Sequence, residues 1–276
     1  MTPRPRTPGG TNSGGSGTTH GNGGTTTTGR PSQVHGTIDA STGVTSAHTA
    51  IETVAHQGRA GGGDSSGQPT TATTPSTAEL QQNLDPTPRP GETPEQAADR
   101  VDAAQSELTL REATATYNAL GENPPRLNLD QNDTAHTGDG AHTIERHGPD
   151  IPLERNSAPP GDRTVEGRIY GDPPWGNAQN WSYKWSDAST MNRTVNDYVA
   201  ANWDTIRSDL ALNGEHSATF DAGHRTGEGF YNEGMHGTGP RDAHYAQTSY
   251  ATVRLRLIPG EPPTFFVVTA FPSGLP

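Results

Sequence analysis

The aromatic residues of this 276-residue chain are confined to its second half, and this distribution limits where a core can form. The chain has four Trp, seven Tyr and five Phe, and none of them precedes Tyr117. Burial of large apolar side chains is what offsets the conformational entropy lost on folding. The first hundred residues therefore cannot build an ordinary core, and we expect one folded domain that begins after about residue 135.

Composition divides the chain into three predicted segments. Residues 1–92 are rich in Gly, Thr, Ser and Pro, which predicts a disordered leader. Within it, only residues 38–60 have scattered apolar positions suited to a transient helix. Residues 93–135 predict a linker with one helix, and residues 136–276 predict the folded domain.

The linker helix is predicted from its end signals. Thr93 and Gln96 form a capping-box pattern around Pro94, and Gly121 ends the helical run at about Leu120. Its apolar stripe is thin, so this segment is read either as a plain linker or as a docking helix for a delivery machine.

A second helix is predicted inside the folded domain, from about Thr190 to Leu212. Apolar residues recur there at intervals of three and four, which places them on one helix face. These residues are Val195, Val199, Trp203, Ile206 and Leu210.

The end of the chain predicts antiparallel strands. Residues 218–221 and 252–257 suit strands, and the apolar run from Phe265 to Phe271 suits a central strand of a C-terminal hairpin. The Gly- and His-rich stretch 222–247 is predicted to be a loop. Helices followed by antiparallel strands indicate an α+β fold, in which helices pack on a twisted antiparallel sheet.

Several classes of protein are excluded by composition. With no cysteine, the chain has no disulfide framework and no thiol nucleophile. No apolar run approaches the length of a membrane span, and no apolar stretch follows Arg4 and Arg6 as in a classical secretory signal. The net charge of −12 argues against a protein that coats nucleic acid through a basic face, but it leaves room for an enzyme that binds one phosphate locally.

Two histidines five residues apart mark the start of the folded part. Residues 141–147 read Ala-His-Thr-Ile-Glu-Arg-His, so that His142 and His147 flank Arg146. Cleavage of RNA by its own 2′-hydroxyl needs a base, an acid and a cation that stabilises the phosphorane, and these residue types supply all three. Two surface histidines of no catalytic role would give the same spacing.

Two segments resemble the RNase A-like toxin domain at the C-termini of bacterial contact-dependent inhibition and other polymorphic toxins. Residues 140–148 are similar to the opening Gly-Gly-His-Thr-hydrophobic-x-Arg-His motif of that family, and residues 267–272 are similar to its closing strand. The resemblance covers residues 138–276. It implies an RNase A-like α+β nuclease that cleaves RNA without a metal or cofactor and is neutralised by a cognate immunity protein.

The resemblance also assigns candidate catalytic residues. The opening motif supplies His147 and His142, and the family's next arginine corresponds to Arg155, with Arg146 as the alternative. The closing strand supplies Thr269 and Phe271, where Phe271 lacks the hydroxyl of the tyrosine in some family members. Surface exposure of Arg155 and plain sheet packing of Thr269 and Phe271 are the alternatives.

Later histidines and tryptophans add further candidates. His224 lies in the predicted loop and is a second candidate for the acid, although most of the loop histidines are expected to be solvated. Trp175, Trp181 and Trp185 are candidates for stacking on single-stranded RNA, or else they cover one edge of the core.

The resulting hypothesis is a secreted or injected effector toxin whose C-terminal domain is a metal-independent endoribonuclease. We expect RNA (tRNA included) as its substrate, an immunity protein as its inhibitor, and a delivery apparatus that engages the N-terminal region, with action in the target-cell cytoplasm. Two other hypotheses stay open. One is a toxin with different chemistry, such as an ADP-ribosyltransferase, and the other is a non-catalytic interaction module.

Overall fold

The computed structural model describes residues 74–237 and 239–274. Most of the predicted leader, with its candidate helix at residues 38–60, lies outside these ranges. The fold is α+β, as the sequence predicts, with seven α-helices in the described ranges and two antiparallel sheets of three strands each.

The last part of the predicted leader forms a helix. Helix α1 spans Thr77–Asn83 and begins with a capping box between Ser76 and Glu79. Its Leu80 is buried, and Arg100 of the next helix donates hydrogen bonds to the Asn83 and Asp85 carbonyls. Residues 77–83 are therefore helical, although their composition predicts that they belong to the disordered leader.

Two helices, rather than one, occupy the predicted linker. Helix α2 spans Pro94–Ala119 with the expected capping box, and helix α3 spans Leu129–His136. Both pack on the domain. The buried Tyr117 ring lies 3.9 Å from the Arg207 guanidinium, and Leu129 is fully buried in the main core.

The predicted long helix is two helices. Helix α6 spans Ala188–Ala201 and helix α7 spans Trp203–Asn213. Between them, Asn202 leaves the helical conformation and its side chain donates to the Tyr198 carbonyl. The apolar stripe is confirmed, since all five of its residues are buried.

The strands form two sheets instead of one. The first has the order β1-β3-β4, with β1 Trp181–Trp185, β3 Gly227–Asn232 and β4 Ala243–Thr248. The second has the order β2-β5-β6, with β2 Glu215–Asp221, β5 Tyr250–Ile258 and β6 Thr264–Ser273. The C-terminal hairpin β5–β6 is confirmed.

The prediction of a loop over residues 222–247 is wrong, because β3 and β4 lie there. Their glycines misled the prediction. A Cβ on Gly229 would lie 2.0 Å from the Ser182 carbonyl oxygen, and one on Gly227 would lie 2.2 Å from that of Lys184. The glycines therefore serve the close approach of β3 to β1 rather than a flexible loop.

Strand β6 is an edge strand of its sheet, although its apolar sequence predicts a central one. Its apolar residues are buried because other elements cover it on several sides. Helices α6 and α7 pack against its sheet, and the indole of Trp185 donates to the Ala270 carbonyl at 3.0 Å. Helix α4 (Thr143–His147) packs along it, which brings the two ends of the domain together.

Candidate active site

Strand β6 carries a bulge that receives the opening histidine motif. Arg254 pairs with Thr269 and Leu255 pairs with Val267, so Val268 is the extra residue of β6. The His142 backbone N–H donates to the Val268 carbonyl at 3.1 Å, and the Ala270 N–H donates to the Thr143 hydroxyl at 3.0 Å. The two motifs are therefore adjacent in space.

Helix α3 holds the same region from the other side. The Asn132 side-chain amide pairs with Val267, donating to its carbonyl and accepting from its N–H, both at 2.8 Å. Asp133 accepts from the Ile144 N–H at 2.7 Å and so caps helix α4. These contacts make the segment 129–136 part of the support of the site.

A cavity of about 520 Å³ opens where α4, β1 and β6 meet. It is lined by five of the predicted site residues, namely His142, Arg146, His147, Thr269 and Phe271. Arg168 of helix α5 (Val165–Tyr170), Arg254 of β5 and Trp181 of β1 line it as well.

His147 forms the buried wall of this cavity. It is 5% exposed, its ring stacks on Phe271 with centroids 4.7 Å apart, and its Nδ1–H points to the Tyr183 carbonyl at 3.3 Å. Burial, with Arg168 nearby, lowers the pKa of His147 from 6.5 to about 3. The imidazole is therefore neutral near pH 7, and its Nε2 is the unprotonated nitrogen.

Lysine 184 fixes the chain that follows His147. Its ammonium donates to the carbonyls of Pro149 and Ile151 at 2.9 and 2.8 Å. These bonds tie residues 149–151 to β1, and Arg155, which follows them, does not line the cavity.

His142 lies half-buried at the cavity. Its Nδ1 is 2.7 Å from the Gly140 carbonyl, which can only accept, so Nδ1 carries the proton and Nε2 is left for other partners. His142 and His147 thus present the same ring nitrogen while differing in burial.

The charge of the cavity wall is positive. Arg146, Arg168 and Arg254 line it, and no Asp or Glu does so among the described residues. Burial and the neighbouring Arg146 lower the pKa of Arg168, whose guanidinium lies 4.8 Å from the Trp175 ring centre. The cavity is suited to an anion.

Two buried hydroxyls in the cavity wall have no hydrogen-bond partner. Thr269 Oγ1 and Ser273 Oγ are both unpartnered, and Thr269 is only 4% exposed. An unpaired buried donor costs stability, and a hydroxyl in the wall of a cavity is available to hydrogen-bond a ligand there. Both lie on β6 beside the arginines.

Arg155 and His224 do not join the other candidates. Arg155 makes a two-pronged ion pair with Asp172 at 2.7 and 2.8 Å and lies over the Tyr170 ring. His224 bonds the Thr194 hydroxyl at 3.0 Å in a different cavity. The structure brings Arg168 to the site in place of Arg155.

The sequence reasoning missed Arg168 and Arg254 as site residues. Arg254 alternates with Val253 and Leu255 in the strand pattern of residues 252–257. The sequence does not distinguish a polar strand face that lines a cavity from one that faces solvent. The only local signal for Arg168 is a cation 21 residues after His147. The sequence does not show how the chain between these two residues is folded.

No group of three or more metal-ligating side chains is found among residues 74–237 and 239–274. In those same ranges, no helix is both long and apolar enough to cross a membrane. Comparisons with protein-family models, curated proteins and solved structures found no match.

Proposed function

We propose that the chain is a ribonuclease that cleaves RNA by attack of the 2′-hydroxyl on the adjacent phosphorus. The observation that carries the proposal is the cavity itself, which gathers His142, His147, Arg146, Arg168 and Thr269 with no lining carboxylate. The resemblance of residues 140–148 and 267–272 to the toxin nucleases is independent support.

His147 is suited to the role of general base. Its neutral imidazole accepts the 2′-hydroxyl proton at Nε2 while Tyr183 holds Nδ1–H in place. Burial is the first cause of its low pKa and nearby cations are the second. A bound phosphate offsets those cations, and the pKa of His147 rises toward the range that base catalysis requires.

His142 completes the reaction as general acid. As the 2′-oxygen forms its bond to phosphorus, the bond from phosphorus to the 5′-oxygen breaks, and protonated His142 supplies a proton to that oxygen. Arg146, Arg168 and the Thr269 hydroxyl stabilise the charge on the phosphorane. The products are a 2′,3′-cyclic phosphate and a free 5′-hydroxyl.

The biological setting is part of the same proposal. We place the activity in a secreted or injected toxin that acts in the target-cell cytoplasm and is inhibited by an immunity protein, as the resemblance implies. Expression of the chain in a bacterial cytoplasm is then expected to be toxic, and the toxicity to depend on His147.

The proposal is tested by incubating the full chain with total RNA and tRNA in excess EDTA, because residues 74–135 pack on the domain. Cleavage with 2′,3′-cyclic phosphate ends is expected, and His142→Ala or His147→Ala is expected to slow it on the order of 10²–10⁴-fold. His224→Ala, a histidine outside the cavity, is the control. Absence of cleavage by the wild-type chain refutes the function. Cleavage that persists in the His142→Ala/His147→Ala double variant refutes the site.

ADP-ribosyl transfer, the other toxin chemistry, is less well supported. That reaction calls for a catalytic glutamate, and none lines this cavity among the described residues. A non-catalytic module gives no reason for the two histidines and three arginines that share this cavity with the unpartnered Thr269 hydroxyl.

A further inference from the structure

The three tryptophans near the site have different environments. Trp185 is fully buried in the core. Trp175 lies against the guanidinium groups of Arg163 and Arg168 and donates its indole N–H to the Thr164 carbonyl at 2.8 Å. Trp181, by contrast, is 57% exposed and lines the cationic cavity.

The backbone around Trp181 holds its indole in place. Trp181 begins β1 and pairs with Tyr231 of β3. The chain leaving β6 passes against the ring, where a Cβ on Gly274 would lie 3.1 Å from Cδ1 and 3.2 Å from the indole nitrogen. Because Gly274 has no side chain, its backbone can lie against one part of the Trp181 ring, while most of the ring surface stays exposed to solvent.

The exposed part of the Trp181 indole is an apolar surface that a bound ligand can cover, and its burial would favour binding. Among the described residues, the other exposed large apolar side chains are Met235 and Tyr245, and neither lines this cavity. Trp181 differs from them because it shares one cavity with Arg146, Arg168 and Arg254. A flat π-surface next to a cluster of cations matches one nucleotide, which has a flat base joined to a phosphate.

We propose that Trp181 stacks on an unpaired base of the nucleotide whose phosphate is held by the cavity arginines. This inference rests on the proposed function and narrows its substrate to single-stranded segments of RNA. A base inside a duplex is already stacked on both faces and cannot lie on the indole.

The test separates binding from cleavage by using a strand that cannot react. A short fluorescein-labelled deoxyoligonucleotide lacks the 2′-hydroxyl, and its affinity for the full chain is measured by fluorescence anisotropy. Trp181→Ala and Trp181→Leu are expected to weaken binding about 5- to 100-fold, while Trp181→Phe stays within about 3-fold because it keeps a π-face. Tyr245→Ala, an exposed aromatic outside the cavity, is the matched control and is expected to bind as wild type does.

Each alternative outcome has a definite meaning. The stacking subsite is overturned by any of three results. Trp181→Ala binds the oligonucleotide as tightly as wild type does, Trp181→Phe and Trp181→Leu lose affinity equally, or the wild-type chain does not bind. The same measurement is made with the oligonucleotide annealed to its complement. If the affinity for that duplex depends on Trp181 to the same extent, the preference for unpaired bases is overturned. Failure of the wild-type chain to cleave RNA, with the Trp181 dependence of deoxyoligonucleotide binding intact, overturns the ribonuclease and leaves the subsite standing.

Discussion

Replacing the buried His147 with Gln is expected to make folding less sensitive to acid than it is in the wild-type chain. The reason is the environment of the imidazole, which is 5% exposed, stacked on Phe271 and hydrogen-bonded only through Nδ1. Protonation would place a charge in that site, so the folded pKa falls to about 3 while the unfolded pKa stays near 6.5. Glutamine keeps a donor for the Tyr183 carbonyl and has no such titration.

The sign and size of the effect follow from linkage. A lowered folded pKa means that the unfolded state binds more protons, so the contribution of His147 is present above about pH 6.5 and is lost as the pH falls toward 3. Between pH 7 and about pH 4.5 the free energy of unfolding of the wild-type chain therefore falls by roughly 2 to 3 kcal/mol through His147 alone. The His147→Gln chain does not lose this part of its stability on acidification. The comparison uses the change between the two pH values, so it does not depend on how much stability the substitution costs at pH 7.

Urea unfolding at the two pH values measures the difference. Val195→Ala is the matched control, because it destabilises the core without changing any titratable group and is expected to keep the wild-type pH dependence. Parallel losses in wild type and His147→Gln would show that His147 titrates near its ordinary pKa. The argument that burial keeps His147 neutral well below pH 7 would then fail.

Two further predictions concern the hydroxyl and the arginines. Thr269→Val is expected to leave the free energy of unfolding unchanged or to raise it by up to about 1 kcal/mol, because the hydroxyl it removes has no partner, while cleavage slows about 10²-fold. Urea unfolding and RNA cleavage rates measure both, and a large loss of stability contradicts the argument. Arg168→Gln is expected to slow cleavage about 10²-fold. Arg155→Gln removes the ion pair with Asp172 and the contact with the Tyr170 ring, both outside the cavity, and its cleavage rate is expected to stay within about 3-fold of wild type. The reverse order of effects would return the catalytic role to Arg155.

The fold was predictable where local signals coincide with tertiary packing. Three such signals each predict their own element correctly. They are the capping box of Thr93 and Gln96, the apolar stripe through Val195 and Ile206, and the alternation of β5. Strands β3 and β4 were not predictable in this way. Position 229 requires glycine because the Ser182 carbonyl lies so close across the sheet. The residues that neighbour Gly229 in sequence do not indicate that distance.

The site was predictable in those members that lie within the two motifs. His142, Arg146 and His147 share one short helix and its cap, and Thr269 and Phe271 share one strand face, so each group stays together once its element forms. The third contribution comes from Arg168 and Arg254. The pairing of β5 with β6 is predicted from the sequence, but the side of that hairpin that meets helix α4 is not. The path of the chain from His147 to helix α5 is not predicted either, because both are properties of the assembled fold.

The acidity of the chain and the charge of the cavity fit together once ion pairs are considered. Outside the cavity, arginines such as Arg155, Arg163 and Arg225 are each matched by a carboxylate, at 2.7, 2.8 and 2.6 Å. Arg146, Arg168 and Arg254 line the cavity, and no Asp or Glu lines it among the described residues. A net charge of −12 repels an extended polyanion, while the cavity attracts a phosphate that can enter it. A flexible, unpaired segment can present one phosphate and one base in this way, and a rigid duplex cannot do so without bringing many more phosphates against an acidic surface.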